Sequence, residues 1–137
     1  IGHAMDLVPT FAALVGGTVP DDRPMDGIDV APLLLGETDE SGRDGFVVYM
    51  GNDVFGVKWR NWKVHFNEQE DWSDLTDSYS MPRVYNLMRD PQERDDVLFP
   101  NTWVLRAALP QLEEHAASLQ AFPPIPTGTP DPYEPSR

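Results

Sequence analysis

The chain has 137 residues, which suits one domain, and its 40% hydrophobic and 24% charged residues are typical of a chain most of which folds. Its net charge of −13 repels phosphate backbones and anionic lipid, which argues against nucleic acid and a membrane as partners. The absence of cysteine excludes a disulfide framework, a thiolate metal site and a cysteine nucleophile within these residues, and it leaves the cellular compartment undecided.

The N-terminal half predicts two helices joined by a loop. Apolar residues recur at helical spacing over residues 5–15, and Gly16 is a natural stop for that helix. Two glycines, two prolines and an Asp-Gly pair predict a loop over 16–29, after which Asp29 caps a short helix that ends before Gly36. The first helix carries only one acid, Asp6, so we expect it to pack against a large surface.

The middle of the chain predicts an antiparallel sheet. Residues 46–50 are rich in β-formers, and residues 55–66 alternate around a break at Arg60-Asn61, as in a hairpin. One face of the hairpin is apolar and predicted to lie in the core: Val57, Trp59, Trp62, Val64 and Phe66. The other face is predicted to point outward: Lys58, Arg60, Lys63 and His65. An acidic segment over 67–82 and a further strand over 83–87 follow, before an Asp90-Pro91 turn.

The last predicted element is a helix over 102–121, with a kink or a restart at Pro110. Its predicted apolar stripe consists of Leu105, Leu109, Leu112, Ala116 and Leu119. Six of the 14 prolines lie after Phe122, so residues 123–137 are predicted to form an extended, disordered or surface-docked tail.

The residues taken alone do not assemble a catalytic set. His3, His65 and His115 fall in different elements, and the paired acids lack the spacing of a calcium loop, so we expect no metal site made from this chain. The cationic side of the hairpin has two readings: a surface that faces an anion, or a solvent face balanced by neighbouring acids. The N-terminus has no basic region and does not resemble a signal peptide. A terminal apolar helix without catalytic residues points to a piece of a longer protein, as does the start at Ile1 without an initiator methionine.

Four segments together resemble the sulfatases. The segments are MDLVPTFAALVG (5–16), PDDRPMDGIDVAPLLLG (20–36), VKWRNWKVHF (57–66) and VYNLMRDPQE (84–93). They are similar to the family's DLxPTLxxLxG helix, its PxxRxxDGxDLxPLLxG segment, its AVRxGxWKxxF hairpin and its LYNLxxDPxE turn. They occur in the family's order, and the resemblance is to the C-terminal part of an arylsulfatase-like member of the alkaline phosphatase superfamily.

The resemblance implies a parent enzyme that hydrolyses sulfate esters. Such enzymes use a formylglycine, made from a C/S-x-P-x-R motif, whose hydrated aldehyde attacks sulfur, and a calcium ion that stabilises the developing charge. Both are expected in an N-terminal domain that precedes these segments, because this chain has no cysteine and no serine opens that motif. No catalytic residue is therefore assigned to this chain, which we expect to be inactive alone.

The prediction is an α+β chain with a small antiparallel sheet of three or four strands and a packed C-terminal helix. Residues 1–36 are read as the end of the parent's α/β domain, 37–122 as the C-terminal subdomain and 123–137 as the tail. Candidate residues for the rim of the parent's substrate pocket are Asn52, Asp53, Lys58, Lys63 and His65. The expected partners are the missing catalytic domain and a second copy bound through the apolar helix. Two alternatives stay open: a related phosphonate-ester hydrolase or phosphodiesterase, and a stand-alone interaction module.

Overall fold

A computed structural model gives the fold, and it describes residues 1–22, 24–69, 76–126 and 128–130. Within those ranges the chain combines helices with one sheet, which confirms the α+β class. The helices are α1 (Leu7–Leu14), α2 (Ala31–Leu34) and α3 (Trp103–Ala121), with short 3-10 turns at Ala4–Asp6 and Phe99–Asn101. The strands are β1 (Gly45–Met50), β2 (Asp53–Trp59), β3 (Trp62–Glu68) and β4 (Asp77–Asn86).

The four strands form an antiparallel sheet in the order β1-β2-β3-β4, so each strand pairs with its neighbour in sequence. A row of valines crosses the sheet, because Val57 is paired with Val64 and Val64 with Val84. These side chains are at most 1% exposed, and α3 covers them with Val104 and Ala108. We call this the inner face. Trp59, Trp62 and Phe66 pack against the same core, which confirms the predicted apolar side of the hairpin.

Helix α3 is rotated from its predicted orientation. Val104 and Ala108 are its buried residues, and Leu105 and Leu112 of the predicted stripe pack partly against the core. Leu109 and Leu119 are 46% and 38% exposed and Ala116 is also exposed, so these three members of the predicted stripe are wrong. A valine and an alanine let the helix approach the valine row closely, which larger leucines at the same line would prevent. The helix continues through Pro110 without a restart, because Pro110 is exposed and water can bond the carbonyl that the proline leaves free.

Strand β4 begins at Asp77, six residues earlier than predicted, so part of the predicted acidic segment 67–82 is strand. Residues 70–75 of that segment lie outside the described residues. The strand accommodates Pro82 because this residue of an edge strand lies in the register break between Ser78 and Arg83, where it is not paired with β3 and its missing N–H breaks no ladder. Along this edge the Val97 N–H donates to the Val84 carbonyl (2.8 Å).

The N-terminal helices are attached to the sheet through a buried ion pair. Asp6 is 1% exposed and accepts bonds from the Arg43 guanidinium and from the backbone N–H of His3 (2.9 Å) and Ile28 (3.0 Å). Gly27 lies so close to the helix start that an added Cβ would be 2.1 Å from the Met5 carbonyl oxygen, so only glycine fits there. In the described part of the chain, no helix is long and apolar enough to cross a bilayer.

Candidate functional site

The predicted cationic residues lie on the outer face of the sheet, opposite α3. Lys58 is paired with Lys63, and Lys63 with Tyr85, while His65 is paired with Arg83. Side chains alternate between the faces of a strand, so these residues flank the buried valines and point away from them. The predicted face is therefore right, although the side chains of Lys63 and His65 are only 21% and 12% exposed.

Two of the predicted residues meet at one carboxylate, that of Glu93. Lys63 Nζ lies 2.8 and 3.0 Å from the two carboxylate oxygens, and His65 Nε2 lies 2.7 Å from Oε2. The histidine contact is short, but Nε2 is not placed to form a well-directed hydrogen bond. Glu93 comes from the turn after β4, where its φ of 56° is in the left-handed region. We call Lys63, His65, Arg83 and Glu93 the outer-face cluster.

Aromatic rings enclose this cluster. The His65 ring contacts Phe55 and Tyr85 edge to face, with centroids 5.2 Å apart in both pairs, and the Arg83 guanidinium lies 4.2 Å from the centre of the Tyr79 ring. Simple alternation would put Phe55 on the inner face with Val57. The register shift where Tyr49 pairs with Val54 turns Phe55 outward, as bulges commonly do. The resulting cavity of about 320 Å³ also has Glu68 and Gln69 in its wall.

Burial controls the protonation of the cluster. Burial lowers the pKa of His65, and the Lys63 charge lowers it further, while Glu93 acts in the opposite direction. Burial also raises the pKa of Tyr79 to about 12, so the phenol keeps its proton at neutral pH. Arg83 approaches Glu68 at 3.7 Å and Lys63 is bonded to Glu93, so an incoming anion would have to compete with carboxylates for both cations.

The other three predicted residues do not join the cluster. Asn52 and Asp53 lie in and after the β1–β2 turn and are exposed. Lys58 donates from Nζ to the Arg60 carbonyl, and burial lowers its pKa, with a further contribution from the Lys63 charge. Across the described ranges, no group of three histidine or acidic side chains is arranged to hold a metal ion.

Among the residues that line this cavity, sequence reasoning identified only His65. Alternation about Val84 in the predicted strand 83–87 could have placed Arg83 and Tyr85 on the face of Lys63. No local sequence pattern predicts that Glu93 or Phe55 lies in this site. A turn positions Glu93 there, and a bulge redirects the Phe55 side chain to the outer face. The structure therefore joins Lys63 with His65 and leaves Asn52, Asp53 and Lys58 apart.

Comparison with curated proteins finds similarity to sulfatases over most of this chain and over a small part of each relative. The chain is 38% identical over 111 residues to human arylsulfatase D, covering 65% of this chain and 19% of that protein. It is 33% identical over 115 residues to human arylsulfatase A, covering 72% of this chain and 22% of that protein. For rat steryl-sulfatase the identity is 30% over 146 residues, covering 87% and 25%. No protein family model matches the chain.

Solved structures show the same fold. A sulfatase from Pseudoalteromonas sp. superposes with a TM-score of 0.79 at 23% identity, over 88% of this chain and 26% of that one. A second structure, reported in connection with glycosaminoglycan metabolism by Bacteroides thetaiotaomicron, superposes with a TM-score of 0.64 at 23% identity. The superposition covers 82% of this chain and 24% of that one. At this identity the likeness concerns the fold. The present chain spans about a quarter of each of these two structures.

Proposed function

We propose that this chain, which belongs to the sulfatase family and corresponds to one part of a sulfatase, is the C-terminal subdomain of an enzyme that hydrolyses sulfate esters, of the arylsulfatase type. The observation that carries the proposal is the agreement between motif and fold. The four family-like segments form α1, the loop with α2, the β2–β3 hairpin, and the end of β4 with its turn. Similarity to arylsulfatases A and D supports the substrate class of the parent.

The chemical groups of the reaction belong, in this proposal, to the preceding part of the enzyme. A formylglycine would supply the nucleophile and a calcium ion would stabilise negative charge. This chain fits neither group, because it has no cysteine, no serine in a C/S-x-P-x-R motif, and no converging metal ligands in its described part. We derive no catalytic step from its residues and expect the chain alone to be inactive.

The apolar side of α1 supports a larger parent. Leu7, Val8 and Phe11 are between 49% and 61% exposed, and Val15 is 81% exposed. Leu34 at the end of α2 and Leu35 directly after it add exposed apolar surface, since they are 63% and 62% exposed. A helix this apolar packs against another element in a complete domain. In the proposed parent, that element belongs to the catalytic domain.

The rim of the parent's substrate pocket is proposed to lie at the end of the sheet formed by the β1–β2 turn and the end of β3. Asn52 and Asp53 are at this end, and the cavity of the outer-face cluster opens near it through Glu68 and Gln69. In this proposal Lys63 and Glu93 hold the cluster together and His65 and Arg83 line its cavity. Lys58 donates to the Arg60 carbonyl and does not line the cavity, so the support for its place at the rim is weaker.

The test compares two chains with three chromogenic substrates. We expect the longer chain encoded by the complete reading frame to contain a C/S-x-P-x-R motif and to hydrolyse 4-nitrocatechol sulfate, while residues 1–137 alone show no turnover above buffer. Arg83→Ala in the longer chain should lower kcat/KM for larger sulfate esters, and Arg106→Ala on the exposed side of α3 is its control.

Other outcomes separate the alternatives. Faster turnover of a nitrophenyl phenylphosphonate or of bis-nitrophenyl phosphate would identify a phosphonate-ester hydrolase or a phosphodiesterase instead. A reading frame that starts near Ile1 would contradict the proposed parent and favour an interaction module.

A further inference from the structure

A second cavity, of about 250 Å³, lies where β3 begins and β4 ends. Trp62 forms one wall, and the other lining residues are Asn86, Arg89, Asp90, Asp95, Val97 and Asn101. It shares no lining residue with the cavity of the outer-face cluster. Trp62 and Lys63 are consecutive in β3 and point to opposite faces, so the two cavities open on different sides of the sheet.

The walls of this cavity are held in place by hydrogen bonds. Asn86 Oδ1 accepts from the Met88 N–H at 3.1 Å. The Asp90 carboxylate accepts from the N–H groups of Arg94 and Asp95 at 2.6 and 2.9 Å. Asn101 Nδ2 donates to the Val97 carbonyl at 2.9 Å. The site is therefore formed before any ligand arrives, which lowers the entropic cost of binding.

Several polar groups of the lining have hydrogen-bonding capacity left over. Asn86 uses its side-chain oxygen and keeps its NH₂ group, while Asn101 uses its NH₂ group and keeps its oxygen. Among the described residues, none forms an ion pair or a side-chain hydrogen bond with the Arg89 guanidinium or the Asp95 carboxylate. Donors and acceptors thus stand side by side around one aromatic wall.

This combination selects a class of ligand. Two carboxylates against one guanidinium disfavour sulfate or phosphate, and Arg89 disfavours a cation. A purely apolar ligand would leave the amides unpaired. A sugar ring has a flat C–H face for an indole and hydroxyl groups that both donate and accept. We propose that this cavity binds a neutral sugar residue, with the ring against Trp62 and its hydroxyl groups bonded to Asn86, Asn101, Arg89 and Asp95.

The packing of Trp62 against neighbouring tryptophans supports the proposal. Trp62 and Trp59 both meet the ring of Trp103 edge to face, with centroids 5.5 and 6.1 Å apart. The contact with Trp103 fixes the orientation of the Trp62 ring that forms the wall of the cavity. The proposal is independent of the proposed sulfatase activity, because none of the residues that line this cavity is assigned a part in that reaction.

The test uses NMR on the whole 137-residue chain with the methyl β-glycosides of glucose, galactose and N-acetylglucosamine as probes. We expect saturable shifts of the Trp62 indole N–H and of the side-chain amides of Asn86 and Asn101, at millimolar concentrations of at least one glycoside. Arg89→Ala should weaken that binding about tenfold, the value of a charged hydrogen bond. Arg94→Ala, in the same turn but outside the lining, should leave it unchanged.

Three results would overturn the proposal. The first is the absence of shifts at these three residues with every glycoside at tens of millimolar. The second is tighter binding of glucose 6-sulfate than of the glucoside, since this would make the cavity an anion site. The third is equal weakening by Arg89→Ala and Arg94→Ala. An unchanged backbone spectrum of each variant shows that the comparison is made between folded chains.

Discussion

His65 links the outer-face cluster to pH. It is enclosed by two aromatic rings and lies against Glu93, with 12% of its side chain exposed. Burial and the Lys63 charge lower its pKa below the ordinary value of 6.5. The unfolded chain therefore binds a proton that the folded chain binds only at lower pH. Because of this, the stability that His65 contributes is present above pH 6.5 and is lost as the pH falls below it.

We expect the free energy of unfolding to decrease when the pH is lowered from neutral to mildly acidic, and to decrease less in His65→Gln. Glutamine keeps a donor near Glu93 but has no proton to gain. Urea titrations of both chains at the two pH values measure the difference, and the titration of other groups cancels between them. Parallel pH dependence in the two chains would show that His65 is solvated in the folded state.

We expect that breaking the ion pair of Asp6 and Arg43 has a larger effect on the free energy of unfolding. Burial by itself raises the pKa of Asp6, but bonds from Arg43 and from the N–H groups of Ile28 and His3 outweigh it and lower the pKa below 3.8. Asp6→Asn leaves the Arg43 guanidinium, whose side chain is 8% exposed, without a counter-charge. We expect a loss of about 3–5 kcal/mol in the free energy of unfolding.

The control for this prediction is Asp44→Asn, which removes an exposed pair with Arg60. Its cost should be below about 1 kcal/mol. Denaturant titrations at neutral pH give both values. Similar costs for the two variants would mean that Asp6 and Arg43 contribute no more than a surface pair. The stability from Asp6 should also disappear as the pH falls through its lowered pKa, since an Asp ionised in the fold must then be protonated.

The β2–β3 turn contains an unfavourable backbone conformation. Its first residue, Arg60, has a φ of 47°, whereas Asn61 is not in the left-handed region. A turn with positive φ at its first central position favours glycine there. Arg60→Gly should therefore raise the free energy of unfolding by up to about 1 kcal/mol, after the loss of its exposed pair with Asp44.

Asn61→Gly is the matched variant, since it adds flexibility without relieving a positive φ. It should lower the free energy of unfolding by about 0.5–1 kcal/mol. Thermal unfolding of both variants beside the parent chain measures the two signs. Destabilisation of equal size in both would contradict this account of the turn.

For helix α3, the periodicity of the sequence is not sufficient to identify the buried face. Its 3.6-residue pattern predicted the helix and its C-terminal end correctly, but several apolar lines run along its surface. The line through Leu109 and Ala116 and the line through Val104 and Ala108 have similar spacing. Packing against the valine row selects the second line, because its smaller side chains fit the sheet.

For the molecule as a whole, the apolar surface of α1 predicts self-association in the isolated chain. Contiguous exposed apolar patches of this kind are rare on monomers, and a second copy can cover one under two-fold symmetry. The net charge of −13 opposes association. Added salt screens that repulsion, so the oligomer should strengthen at high ionic strength. Sedimentation of the chain at low and high salt measures this.

Phe11→Ser should shift the chain toward monomer at both salt concentrations. Phe99→Ser is the matched control, because Phe99 is 80% exposed but belongs to the turn before α3. Equal sedimentation of the two variants would place any contact between copies away from α1. A compact monomer of the unsubstituted chain at both salt concentrations would show that this surface remains free in solution.

The α+β class, the hairpin with its inner and outer faces, and the family resemblance can all be predicted from the amino-acid sequence. These follow from alternation, helical spacing and short contiguous motifs, which act over a few residues. Three features emerge only in the folded chain: the contacts of Glu93 with Lys63 and His65, the pairing of Asp6 with Arg43 from 37 residues away, and the choice of the buried line of α3. Those contacts depend on a bulge, a turn and the docking of α3 on the sheet, and local periodicity carries no information about distances between elements.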